Sequence, residues 1–151
     1  MPGLAFDAID RHVVAGRGDE LCVVGAEISV TYIDLLAHTA ALGGGLLRLG
    51  AVDDGGIDLD IAPDWERLSY LLALVRLGLA PDQSSLIRVT GSPALLLVGE
   101  DSLPLETVVK IGRIDPVPAS NFDDSHLLDR LVPTDHAWLS ALLSGATITF
   151  D

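Results

Sequence analysis

The side chains that could do chemistry gather in a few places. Asp123, Asp124, His126, Asp135 and His136 set two histidines among carboxylates, a donor set able to hold Zn²⁺. Their spacing gives no i, i+4 pair, and an N-cap at Asp135 with solvated neighbours accounts for them. AVDDGGIDLDIAPD, residues 51–64, is dense in aspartate and raises a calcium loop. Such a loop needs oxygens at alternate positions around a central glycine and a closing glutamate, and Asp53, Asp54, Asp58 and Asp60 do not fall so. They read as solvated acids. Gly43, Gly44 and Gly45 could cradle a phosphate, but no Lys, Ser or Thr accompanies them, so close approach of a neighbouring helix is the reading taken. Cys22, the single cysteine, sits in the apolar run LCVV as a buried, inert thiol and leaves no internal disulfide possible. The sequence holds no GxSxG elbow, HExxH, CxxC or Walker loop. No catalytic, cofactor-binding or metal-binding residue is therefore expected. Arg113, Arg130 and His136 remain as candidate anchors for a ligand or partner.

The elements that must position these groups are organised around Gly56 to Pro81. Trp65, Leu68, Leu71, Leu72, Val75 and Leu79 share a helical face, and Ala73, Leu74 and Leu77 make most of the remaining surface apolar. Such a helix is buried on nearly all sides. Asp64 is placed to cap it, and Gly78 with Pro81 ends it. Before it, Leu4 to Ala15 reads as an amphipathic helix ended by Gly16 and Gly18. Leu21 to Val24 and Glu27 to Val30 read as a hairpin. Thr31 caps a helix from Tyr32 to about Leu49, with Leu35, Thr39, Leu42, Leu46 and Leu49 inward. Asp58 and Asp60 share a wet face of a short strand.

Beyond Pro81 the pattern predicts a helix over Gln83 to Val89, strands over Ala94 to Val98 and Glu106 to Ile111, and a loop over 112–124. Helices then follow over Ser125 to Val132 and His136 to Leu143, and a last strand in ATITF. His12 and His38 fall at the surface or its boundary, and Trp65 and Trp138 fill core or interface. This order predicts one domain, residues 1–151, with an α/β layered fold: a mostly parallel sheet flanked by helices, with a short N-terminal hairpin.

The totals narrow the function classes. A net charge of −13 over 151 residues, with Lys110 the single lysine, repels phosphate backbones and anionic lipid heads, so nucleic acid and membrane are not expected partners. Hydrophobic residues at 49% describe a folded chain, and no apolar run is long enough to span a bilayer. A cytoplasmic location is expected.

Several of these segments resemble the N-terminal subdomain of the adenylate-forming superfamily, which includes acyl-CoA synthetases, peptide-synthetase adenylation domains and luciferases. Val30 to Leu35, VTYIDL, is similar to the family's LTYxEL motif. LVRLGLAPD, Leu74 to Asp82, is similar to the apolar helix that ends at a Gly and leads to Pro and Asp. LGAVDDGGIDLDIAPD resembles LGVxxGDxVxLxLPN, SPALLLVGE the next strand, and LLSGATITF the family's LLxGATVVF strand. About two thirds of the chain is covered, by scaffold motifs. The phosphate loop ending in Lys, the YGxTE segment, the ribose-binding Asp and the catalytic Lys have no counterpart in these residues. VVKIGRID, Val108 to Asp115, looks like the family's hinge sequence but lacks the upstream GRxD and is taken as chance.

The resemblance therefore implies a non-catalytic, reduced relative that acts by protein interaction, as a homodimer or with a partner. Its alternatives are binding of an acyl or aryl carboxylate or CoA, or service as one part of a split acyl-activating enzyme. Adenylation by this chain alone, and a bound cofactor, are not expected.

Overall fold

The computed structural model describes residues 3–121 and 123–150, so residue 122 of the loop expected over 112–124 lies outside it. Its centre is a pair of helices, α1 (Tyr32–Arg48) and α2 (Trp65–Arg76). Both start as their sequences dictate. The Thr31 hydroxyl accepts the Asp34 amide at 3.2 Å, and the Asp64 carboxylate accepts the Glu66 and Arg67 amides. Gly78, at φ +78°, turns the chain out of α2. Each helix presents opposite faces to two separate cores. Leu35 of α1 with Leu68, Leu71, Leu72 and Val75 of α2 belongs to one, and Leu42 and Leu46 with Tyr70, Ala73 and Leu74 to the other. The pair is thus a shared wall, which is why α2 is apolar almost all round.

The first core is closed by elements from both ends of the sequence. A helical segment that includes π-type turns at Phe6–Asp10 and Val13–Arg17 supplies Leu4, Ala8 and Ile9, and Gly16 breaks it at φ +87°. α4 (Pro133–Leu143) supplies Leu139 and Leu142. Strands β1 (Leu21–Val24) and β2 (Ser29–Thr31) form the expected antiparallel hairpin, and β7 (Ile148–Thr149) lies parallel to β1 on its other side. Stitches cross between the two ends. Arg11 donates to the Leu143 carbonyl and Arg17 to the Gly145 carbonyl. His12 accepts from Arg17 at Nδ1, so its Nε2 carries the hydrogen and donates to the Leu142 carbonyl at 2.8 Å. His12 is consequently buried, a correction to its expected place at the surface.

The second core lies under a four-stranded sheet in the order β3 (Asp58–Asp60), β4 (Arg88–Thr90), β5 (Leu95–Val98) and β6 (Asp101–Pro104). β3 and β4 are parallel; β4, β5 and β6 are antiparallel. The α/β class holds, but the expected mostly parallel sheet becomes two small mixed sheets. Its physical reason is the turns: Gly91 at φ +94° and Gly99 at φ +59° allow tight hairpins in place of helical crossovers.

Three local expectations change with it. Gln83 to Val89 forms no helix, because Asp82 Oδ1 takes both the amide and the hydroxyl of Ser84 in a side-chain turn, and the chain then enters β4. Glu106 to Ile111 forms no strand but helix α3 (Leu105–Gly112), whose buried residues Leu105, Val108, Val109 and Gly112 fall at i, i+3, i+4 and i+7. Asp58 is buried, not wet, and pairs with Arg88 at 3.1 Å across the parallel strands. Residues 125–130 form a 3₁₀ turn, and Gly112 ends regular structure before it as expected.

The glycine run of α1 has the packing role read from sequence. A Cβ on Gly45 would fall on the Val108 carbonyl, one on Gly44 on the Asp115 carbonyl, and one on Gly112 on the Ala41 carbonyl. Backbone meets backbone across α1 and α3. Gly43 differs, since its Cβ would meet the Val117 side chain at an ordinary 3.5 Å. Replacement of Gly45 or Gly112 by Ala is expected to cost at least about 2 kcal/mol by overpacking. Gly43→Ala is expected to stabilise, by up to about 1 kcal/mol, through helix propensity. Urea denaturation of the three variants checks both signs.

Candidate functional site

α3 packs along α1, and a groove lies between these two helices and the start of α2. One arm, about 550 Å³, is lined by His38, Trp65, Glu66, Val109, Lys110 and Arg113, with Pro93, Pro104, Leu105 and Glu106 at its margin. A second arm, about 610 Å³, shares His38, Val109 and Arg113 and runs along α1 past Asp34 and Ala37. Both volumes fall in the range of small-molecule sites.

The local structure of α2 sets the chemistry of the groove. Ser69 turns its hydroxyl back to the Trp65 carbonyl at 2.9 Å, a common choice for serine inside a helix. His38 Nε2 lies 2.9 Å from the Ser69 hydroxyl oxygen. The one hydroxyl hydrogen is used on Trp65, so His38 is the donor and its ring is the neutral Nε2–H form. Trp65 stacks on it, with ring centroids 4.9 Å apart and planes 25° apart. Burial in this stack, aided by the Arg113 guanidinium, pushes His38 down to about 4. Glu66, in the first turn of α2, receives the Ala94 amide on both carboxylate oxygens at 3.1 and 3.3 Å. It therefore fastens β5 to the groove's floor rather than standing free.

The cations sit at the other end. Lys110 is in the last turn of α3 and Arg113 caps it, both exposed. Among the described residues the ion pairs are Arg17–Glu20, Arg67–Asp135, Arg76–Asp10 and Arg88–Asp58, so neither Lys110 nor Arg113 is engaged in one. Asp34, Glu66 and Glu106, which also line the groove, stand in the first turns of α1, α2 and α3, where the helix dipole favours negative charge. The groove is polarised, acidic at the helix starts and basic at the end of α3.

The three anchors expected from sequence are not brought together. Arg113 is in the groove. Arg130 borders a separate cavity of about 230 Å³ with Asp58, Arg67, Asp82 and Asp135. His136 lies on the exposed side of α4, its Nδ1 3.3 Å from the Ser140 hydroxyl. Asp135 is not an N-cap, because Pro133 opens α4 two residues earlier. It is buried instead and takes Arg67 bidentately at 2.9 and 2.8 Å, while Arg67 also donates to the Leu59 carbonyl. Asp124 accepts the Leu4 amide, and Asp123 the Ser125 amide. Among the described residues no group of His, Cys, Asp and Glu is arranged to hold a metal ion. Cys22 is buried, and burial pushes its thiol up to about 12, which leaves it protonated and unreactive.

His38, Trp65 and Lys110 were missed as site residues. They come from three helices and are separated in sequence, and no motif joins them. The available signal was Lys110 and Arg113 at i, i+3, which places the single lysine and an arginine on one helical face.

No family model matches the chain. Over 84 residues it is 37% identical to the protein called acetyl-coenzyme A synthetase in Mycobacterium bovis (strain ATCC BAA-935 / AF2122/97) and in two strains of Mycobacterium tuberculosis, CDC 1551 / Oshkosh and ATCC 25618 / H37Rv. Half of the chain is similar to acetyl-coenzyme A synthetase. The similarity covers 50% of this chain and 13% of those proteins, so the chain spans a small part of the relatives it matches. It supports a relationship to the adenylate-forming superfamily, in keeping with the motifs Val30 to Leu35 and Leu74 to Asp82. No helix of the described residues is long and apolar enough to cross a membrane.

His38 yields a prediction with a definite sign. Its pKa is depressed in the folded state, so the unfolded chain binds a proton first as pH falls. Stability is then full above about 6.5 and falls between about 6.5 and 4, by roughly 3 kcal/mol at most. His38→Gln is expected to flatten the stability slope across that window relative to the parent, measured by urea denaturation at stepped pH. An unchanged slope would return His38 to an ordinary histidine.

Proposed function

We propose that this chain is a reduced relative of the acyl-activating N-terminal subdomain that acts by binding, and that its ligand is a small carboxylate held in the groove between α1, α2 and α3. The observation that carries this reading is the placement of Lys110 and Arg113. In a chain of net charge −13, the single lysine and an unpaired arginine stand on one end of the groove, beside an aromatic floor. Guanidinium and ammonium groups together are suited to a carboxylate. The acids on the opposite rim disfavour nucleotides and CoA, whose phosphates carry several charges. Similarity to acetyl-coenzyme A synthetase over half the chain supports the acyl-activating ancestry. A cytoplasmic location fits a chain of this charge.

A second reading, self-association or a protein partner, draws on a different place. Val14, Leu21 and Ile33 are exposed apolar residues on segments that meet at Gly18, whose carbonyl accepts the Ile33 amide. Under that reading the chain is a homodimer at high concentration, and a strictly monomeric species in light-scattering chromatography counts against it.

The test is a thermal-shift panel of the purified chain with acetate, octanoate, benzoate, AMP, CoA and MgATP. A carboxylate at about 100 times its dissociation constant adds about 2.7 kcal/mol to stability. Lys110→Ala with Arg113→Ala is expected to abolish that gain and to change ligand-free stability by no more than about 0.5 kcal/mol each, as exposed substitutions do. Stabilisation by MgATP or AMP with none by carboxylates would overturn the reading.

A further inference from the structure

Helix α3 has a second face. Leu105, Val108, Val109 and Gly112 fill the side turned to α1 and the second core. At 100° per residue the other positions of α3 and its closing turn fall on one outer arc of about 160°. Arg113, Glu106 and Lys110, all exposed, lie along one side of that arc, and Ile114, Thr107 and Ile111 along the other. Ile114 is 79% exposed, and half-buried Ile111 belongs to neither core. An apolar strip beside a charged one has the composition of a contact surface.

Charge decides what can cover it. In a chain of net charge −13, most of the surface repels a second copy. Residues 105–115 differ, because Glu106 and Asp115 are balanced by Lys110 and Arg113, which no ion pair among the described residues engages. At physiological ionic strength screening acts over about 8 Å, so a short contact feels this neutral face more than the distant acids. The order of signs then fixes the orientation. Lys110 lies about 6 Å and Arg113 about 10 Å along the axis from Glu106. Two copies of α3 laid parallel about a two-fold axis set the charged side of each on the apolar side of the other. Laid antiparallel, they keep charged side on charged side and apolar on apolar, and each Glu106 comes beside the cations of its neighbour. The helix dipoles also oppose in that arrangement.

We infer that a second copy of this chain docks on the outer face of α3, the two helices antiparallel, with Glu106 of each copy on Lys110 and Arg113 of the other and the isoleucine strips in contact. The dimer is weak and concentration-dependent, since α3 is only about 12 Å long and the contact is small. It uses the two cations assigned above to a carboxylate. On that reading a carboxylate ligand and the second copy exclude each other, because Glu106 of the neighbour takes the ligand's place.

The experiment is sedimentation equilibrium of the full chain up to millimolar concentration, in about 0.15 M salt. The parent is expected to dimerise. Glu106→Lys makes the charged side wholly positive, and Lys110→Glu with Arg113→Glu makes it wholly negative. Each variant alone is expected to dimerise at least about tenfold more weakly, and an equal mixture of the two to recover the parent's affinity. Ile111→Ser with Ile114→Ser is expected to weaken self-association, and Val14→Ser to leave it unchanged. If a variant fails to fold, amide NMR of the unaltered protein on dilution decides. Shifts largest in residues 105–115 support the surface, and shifts largest around Gly18, Leu21 and Ile33 overturn it. A parent that stays monomeric at millimolar concentration overturns the inference, as does a dimer that neither charge reversal weakens. Acetate, octanoate and benzoate titrated into the dimer separate the two readings. Binding of none ends the carboxylate reading and leaves the dimer in place, whereas one that binds without loosening the dimer overturns the Glu106 pairing.

Discussion

Contact between the backbones of α1 and α3 is the constraint on which the remaining arrangement rests. A helix axis normally keeps its neighbour about 8–10 Å away because side chains intervene. Here Gly44, Gly45 and Gly112 remove them, and carbonyl oxygens of Val108, Asp115 and Ala41 occupy the space a methyl group would take. Three glycines inside or at the ends of helices are costly in conformational entropy. The return is position. α3 is drawn against the middle of α1, Val108 and Val109 reach the second core, and the last turn of α3 carries Lys110 and Arg113 over His38. A bulkier seam would lift α3 and widen the groove.

The α1–α2 wall also explains where charge is buried. A helix packed on all sides must still lodge its polar residues, and Arg67 and Arg76 leave α2 into paired sites. Arg76 is almost fully buried, donates to both oxygens of Asp10 at 2.8 and 2.9 Å and to the Val117 carbonyl, and so joins the N-terminal segment to the loop after α3. Arg67 does the same between Asp135 and the end of β3. Each guanidinium has a bidentate carboxylate and a carbonyl, which offsets much of the cost of taking it out of water. These pairs fix which segments meet around α2. Among the described residues Arg11, Arg48 and Arg130 also make no ion pair, but the groove is lined by two such cations, Lys110 and Arg113.

Elements governed by local signals were legible in the sequence. α1 and α2 begin at their Thr31 and Asp64 caps, the β1–β2 hairpin is in place, and the glycine run packs on a helix. Where tertiary packing decided, the sequence misled. The alternation in ETVVKI suits a strand, but the buried stripe of Leu105, Val108, Val109 and Gly112 suits the seam with α1, and the seam prevailed. Asp135 has the right type for a cap and is instead recruited by Arg67 across 68 positions. The groove was less legible still. Arg113 was singled out, whereas Arg130 and His136 lie elsewhere, and the His38 tautomer depends on a Ser69 bond that no spacing rule announces.

The stitching of the two ends bears on how the molecule is made. The segment carrying Ile9 and the strand carrying Val23 are synthesised before the faces they bury against, Leu139, Leu142 and Ile148. Until those faces emerge the first core is an open apolar surface, while the second, whose buried residues run from Ala41 to Val109, can already close. The nascent chain is half folded by construction. Its early segments are the ones a ribosome-associated chaperone would have to shelter.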